Sequence, residues 1–236
     1  MLLGVNIDHV ATLRNARGGV EPSVFDAAKI CERLNVSGIT THLREDRRHI
    51  KDEDVRLIKE KLSTRLNLEM AMTDEMQKIA LEIKPAACCI VPEKRQEITT
   101  EGGLDVASQI KRAKEFVKPL NDAGIVVSMF IDPDIKQIDA VLAINAPFIE
   151  LHTGSYSNAF GKENEEVEFQ KLKDAALYAQ KKGLKVNAGH GLDYVNVKRM
   201  HEIDGLVELN IGHSIISRAI FVGLEKAIEE MKELIK

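Results

Sequence analysis

The sequence predicts an α/β fold, a (β/α)8 or TIM barrel with a polar lumen, forming one domain over residues 1–236, and three observations predict it. Short β-rich runs alternate with segments of helical periodicity along the whole chain, with no linker or low-complexity stretch between them. Eight such strand–helix units fill 236 residues almost without remainder. The first strand–helix turn reads Asn6-Ile7-Asp8-His9, where an open doubly wound sheet usually carries its phosphate glycines.

The strand runs are Leu2–His9, Gly38–Leu43, Arg65–Ala71, Ala86–Glu93, Ile125–Asp132, Phe148–Gly154, Lys185–Gly191 and Leu206–His213. Between them, Val24, Ala27, Ala28, Ile30, Cys31 and Leu34 form one helical stripe. Val55, Leu57, Ile58 and Leu62 form another, and Met76, Ile79, Ala80 and Ile83 a third. Gly124 and Gly183 each fall between a helical stretch and a strand, where a left-handed cap is expected.

Strand parity predicts an unusual interior. One register is apolar: Val5 and Ile7, Ile39, Leu66 and Leu68, Ile149 and Leu151, Val186, Leu209 and Ile211. These must face the helices, so the alternate set points inward: Asn6, Asp8, Thr40, His42, Arg44, Asn67, Glu69, Glu150, His152, Asn187, Glu208 and Asn210. Buried polar groups in such number require a networked or wet lumen.

Composition excludes several classes. A net charge of −4 argues against a general nucleic-acid binder. No apolar run approaches the ~20 residues that span a bilayer, so no membrane partner is expected. Met1–His9 lacks a signal peptide's basic start, which predicts a cytoplasmic protein with Cys31, Cys88 and Cys89 as reduced thiols. Cys88 and Cys89 are adjacent on a strand, point to opposite faces and read as buried filler.

Barrel enzymes react at the C-terminal strand ends. Those positions gather Asp8-His9, His42 with Arg44, Glu69, Glu93, Asp132, Glu150 with His152, His190 and His213. Six of the seven histidines lie at or near such ends, His49 following the second strand closely; only His201, on a helix, lies elsewhere. Imidazoles beside carboxylates in a partly desolvated mouth separate pKa values and supply acids and bases near neutrality. Arg17 and Arg44 are expected to bind anions, while Arg47 and Arg48 read equally well as solvated loop charges. Gly189-His190-Gly191 and Gly212-His213-Ser214 fall where this fold holds phosphate. Two cationic clusters imply two phosphate groups. Pro92–Gly103 is long for a strand–helix loop and is expected to act as a lid. No HExxH motif or cysteine cluster points to a metal, although Asp8, His9, His42 and Glu69 have the types to gather around one. A metal-dependent sugar-phosphate epimerase or aldolase, and a catalytically idle phosphate-binding regulator, remain alternatives from residues alone.

The segments Gly4–Gly18, Thr41–Ile50, Asn67–Ala71, Val91–Glu97, Thr99–Gly103, Phe148–Gly154, Val186–Gly191 and Glu208–His213 closely resemble the pyridoxine 5′-phosphate synthase family of vitamin B6 biosynthesis. Departures lie around Gly19–Val24 and Lys162–Phe169, outside these motifs. The resemblance implies a transferase-type, ring-closing enzyme that joins 1-deoxy-D-xylulose 5-phosphate to 3-amino-2-oxopropyl phosphate, giving pyridoxine 5′-phosphate, phosphate and water. It implies no metal or organic cofactor, and a homo-octamer. It also implies Glu69 and His42 as proton acceptors, His190 as proton donor and Glu150 as stabiliser of the transition state. Asn6, Arg17, Gly191, Gly212 and His213 match positions that hold the aminoketone phosphate. Asp8, His9, Arg44, His49 and Thr99 match those that hold the sugar phosphate.

Overall fold

Alternating branched residues form the strands of this protein, and amphipathic stripes form the helices laid over them. The computed structural model describes residues 1–93 and 102–236. The chain opens with β1 (Leu2–Asn6), α1 (Asp8–Arg17), α2 (Val24–Arg33), β2 (Gly38–His42), α3 (Asp52–Lys61) and β3 (Leu66–Met70). There follow α4 (Asp74–Ile83), β4 (Ala87–Ile90), α5 (Ile110–Asp122), β5 (Val126–Ile131), α6 (Ile135–Ala143) and β6 (Phe148–His152). The last part holds α7 (Gly154–Ala159), α8 (Glu165–Lys181), β7 (Lys185–Gly189), β8 (Leu206–Ile211), α9 (His213–Val222) and α10 (Leu224–Leu234). Each strand pairs in parallel with the next, and β8 returns to β1, closing an eight-stranded barrel with the helices outside.

All eight expected strands are present, though each is shorter than its apolar run. The largest correction is at the first. Its run extends to His9, but the strand stops at Asn6 and Asp8 opens a helix. Asn6 explains the stop, because its Oδ1 accepts the Asp8 backbone N–H at 2.9 Å and turns the chain. Gly18 then ends α1 in the left-handed region. Gly124 and Gly183 adopt the positive φ expected of them. Ser23 and Thr73 cap α2 and α4, each accepting a backbone N–H three residues on.

The whole apolar register lies in the core between sheet and helices. Cys88 joins that core, while Cys89 turns into the lumen and packs with Val91 and Phe130. The inward polar register is networked. Asn210 donates to Glu150 at 2.6 Å, and its Oδ1 accepts from Thr40 at 3.1 Å. Asn67 donates to Thr40 at 3.3 Å. Lower down, Glu208 accepts from Ser37 at 2.6 Å and pairs with Arg65. A bulge between β7 and β8 shifts the register there. Gly4 makes room for this interior, since a Cβ on it would lie 2.1 Å from Asn210 Oδ1. Beneath Glu150 a cavity of about 20 Å³ is lined by Arg65, Asn67, Ser128, Asn187 and Glu208 among others, enough for a water-sized guest.

Candidate active site

The mouth at the C-terminal strand ends is built in two halves. On the first, β2 and β3 set His42 directly beside Glu69 in register. Asn6, at the end of β1, donates to Asp8 at 2.9 Å and to Glu69 at 3.4 Å. The first turn of α1 aims Asp8 back at β2, where its Oδ1 accepts the His42 backbone N–H at 2.8 Å. His42 Nε2 meets Glu93 Oε1 at 2.7 Å, just past β4. Arg44 is buried within reach of Asp46, and the His49 ring stands edge-on to His42 with centroids 5.9 Å apart.

On the second half, β6 carries Glu150 and His152. Glu150 is buried on the lumen side, and its neighbours are Asn210 and the Cys89 thiol, 3.8 Å away. Gly189 must be glycine because a Cβ there would lie 2.4 Å from Glu150 Oε1. His190 follows it with φ +79°, a left-handed conformation costly for a residue with a side chain. Its ring lies 5.1 Å from that of His152, and Phe130 lies beside both. His152 Nδ1 is fixed by Asp132 at 2.9 Å. Gly212 presses against Asn6 and opens α9 at His213, whose ring lies 5.1 Å from that of His9. That contact joins the two halves into one rim.

Electrostatics follow from this crowding. Burial raises Asp8 to about 6, against the opposing pull of His42 and Asn6. Glu69 is pushed well above the carboxylate range by desolvation and by the charges of Asp8 and Glu150. Burial lifts Glu150 to about 7 despite its Asn210 hydrogen bond. Histidines move the other way. His190 falls to about 4 through burial, then the charges of His152 and His213, and His49 falls to about 3 through burial, then His42 and Arg44. Burial works against the charge of Glu93, yet the His42 hydrogen bond and its other donors outweigh it and hold the carboxyl below its ordinary range.

These residues supply acids and bases to a partly desolvated mouth. A family model described as pyridoxal phosphate biosynthesis protein PdxJ matches residues 3–236. The chain belongs to the PdxJ family. A pyridoxine 5′-phosphate synthase from Photobacterium profundum is 60% identical over 98% of this chain and 96% of its own length. One from Geotalea uraniireducens is 53% identical, over 99% and 98%. Among solved structures, KGPDC from Streptococcus mutans superposes with a TM-score of 0.66 at 15% identity, covering 99% of this chain and 98% of that one, which shows the shared barrel. Phosphoribosylanthranilate isomerase from Thermotoga maritima gives 0.61 at 11% identity, with 99% of each chain covered.

The expected site residues of this PdxJ chain differ in their settings. Arg17 is exposed at the far end of α1. Arg14 is the arginine that α1 buries, forked onto Asp54 at 2.7 and 2.9 Å and donating to the His49 carbonyl at 3.2 Å. Arg47 is tied to Asp52 and Glu75, and Arg48 to Asp46, as loop charges would be. Thr99 and most of the expected lid lie outside the described residues. Gly191 holds a positive φ against Ser157. Three contributors escaped sequence reasoning: Phe130, which supports two histidines; Cys89, which touches Glu150; and Glu93 as the partner of His42. Strand parity is the signal that could have placed Cys89 and Phe130 inward, but their apolar character hid them.

Proposed function

We propose that this chain makes pyridoxine 5′-phosphate from 1-deoxy-D-xylulose 5-phosphate and 3-amino-2-oxopropyl phosphate, releasing one phosphate and two waters. The observation that carries it is the convergence of His42, Glu69, Glu150 and His190 on one mouth, in a chain 53–60% identical to proteins of that name. The substrate amine attacks the sugar ketone, and the adduct must lose water. Phosphate is then eliminated, a carbon–carbon bond closes the ring, and further proton loss makes it aromatic.

Every step moves a proton, so carboxylates near neutrality are well matched bases. Glu69 and His42 take the acceptor roles, and His190 gives a proton back. His190 is neutral near pH 7 with the site empty, and an arriving phosphate supplies the negative field that favours its charged form. Glu150, held by Asn210, takes the role of stabilising the transition state. His213, Gly212, Gly191, Asn6 and Arg17 serve the aminoketone phosphate. Asp8, His9, Arg44, His49 and Thr99 serve the sugar phosphate. The polar lumen and its small cavity suit the exit of water.

Self-association, in the octamer that the family resemblance implies, is supported by Leu13, Val20, Ile220 and Phe221, apolar residues exposed on or near α1 and α9. A cytoplasmic setting suits three buried, unbridged cysteines, and no helix among the described residues is long and apolar enough to cross a membrane.

Incubating the purified protein with both substrates tests the function: pyridoxine phosphate absorbance and free phosphate should rise together. A metal-dependent rival would use Asp8, His42 and His49, whose ligand-capable atoms lie within 4.8 Å of one another. Activity abolished by a chelator and restored by a divalent ion would favour it.

A further inference from the structure

We infer that Glu93 is a positioning residue for the reaction proposed above: its carboxylate holds a proton on Nε2 of His42 and so leaves Nδ1 as the basic nitrogen. The inference rests on that functional reading for the consequence in rate, but not for the tautomer.

The geometry is specific. Glu93 sits just past β4, with its side chain 4% exposed, and Oε1 lies 2.7 Å from His42 Nε2, itself on a side chain 8% exposed. The second oxygen, Oε2, accepts the Glu45 backbone N–H at 3.1 Å. An ionised carboxylate can only accept hydrogen bonds. Both of its partners must therefore donate, and the proton of a neutral His42 ring belongs on Nε2. The imidazole is held from behind as well, because its own backbone N–H is bound to Asp8 at 2.8 Å. His42 thus has one ring nitrogen committed and one lone pair left for a substrate proton, which is what a general base requires.

The Glu45 amide makes the arrangement testable, because it dictates how a glutamine would sit. In Glu93→Gln the side-chain carbonyl must face the Glu45 N–H, since the amide nitrogen there would set donor against donor. The amide nitrogen then points at His42 and donates to Nε2, which drives the imidazole proton to Nδ1. The variant is nearly isosteric and removes no contact, yet it turns the base around.

The experiment uses the full-length protein labelled with 15N-histidine. Long-range proton–nitrogen correlation reports which nitrogen of His42 is protonated, and steady-state kinetics with both substrates are measured in parallel. In the unmodified protein the proton is on Nε2. In Glu93→Gln it moves to Nδ1, kcat falls by about 10²–10⁴-fold, and KM for both substrates stays within about twofold. Glu93→Asp keeps an acceptor, retains the Nε2 proton and recovers part of the lost rate. Thermal unfolding of each variant shows that the fold is intact. Three results would overturn the assignment: an Nδ1 proton in the unmodified protein, an inverted tautomer with undiminished kcat, or equal loss in the Asp and Gln variants. Should the unmodified protein not turn over these substrates at all, the proposed function fails, while the spectra still decide the tautomer.

Discussion

At the scale of single residues, the mouth concentrates carboxylates that would rather be neutral. Asp8 at about 6, Glu150 at about 7 and the raised Glu69 all lie above the ~4 of an unfolded chain. The folded state therefore binds extra protons between pH ~4 and ~7, and these three groups lose stability as pH rises through that window. His190 and His49 act oppositely, because their depressed values leave the unfolded chain with more protons below pH ~6.5. Glu69→Gln keeps the acceptor for Asn6 and removes the charge. Its urea midpoint should rise at pH 8 and gain less at pH 5, while kcat drops by about 10²–10⁴-fold. An unchanged kcat would remove Glu69 from the proton-acceptor role. The pH profile of kcat/KM should climb with an acid limb between about 6 and 7, as Asp8 and Glu150 ionise. A flat profile down to pH 5 would contradict those assignments.

Helix α1 is the element that sequence periodicity did not reveal. Its ten residues contain few apolar positions; strand parity assigns Asp8 and His9 to the first strand, and the residues up to Arg17 read as its loop. What makes it a helix is local: the Asn6 turn, an acid in its first turn and the Gly18 cap. What anchors it is distant. Arg14 reaches Asp54 at the start of α3 and, through the His49 carbonyl, fixes the loop that carries His49. Both Arg14 and Asp54 are nearly buried, with side chains 10% and 12% exposed. Arg14→Met strands Asp54 beside the remaining backbone donor and should cost about 3–5 kcal/mol in urea unfolding. It should also weaken binding of the sugar phosphate, seen as a raised KM. A variant as stable as the parent would show that the fork is incidental.

At the scale of the whole molecule, the barrel was legible because two periodicities repeat eight times, and the polar register was legible because the opposite one is so uniformly apolar. Pairings were not legible. Nothing in sequence spacing says that Glu93 meets His42, that Asp132 meets His152, or that a cysteine touches Glu150, since these contacts depend on closure of the sheet. Closure also creates the lumen, and Ser128→Leu tests its use. Filling the cavity should lower kcat several-fold with KM little changed if water leaves that way. Unaltered turnover in a folded variant would assign the exit elsewhere. Assembly is tested at the outer surface, where Phe221 is 84% exposed. If the chain forms the proposed octamer, Phe221→Asp should shift the sedimenting species toward smaller forms; a monomeric parent protein would refute the assembly.

The way Asn210 is shared inside the cylinder constrains how this interior can drift. One amide serves Thr40 on one side and Glu150 on the other, and it occupies the hollow that only a glycine at position 4 leaves open. A lone hydrophobic replacement at any of these four places strands partners belonging to separate strands. Tolerated descendants should therefore alter the quartet jointly, and paired substitutions here should depart strongly from the sum of their individual penalties.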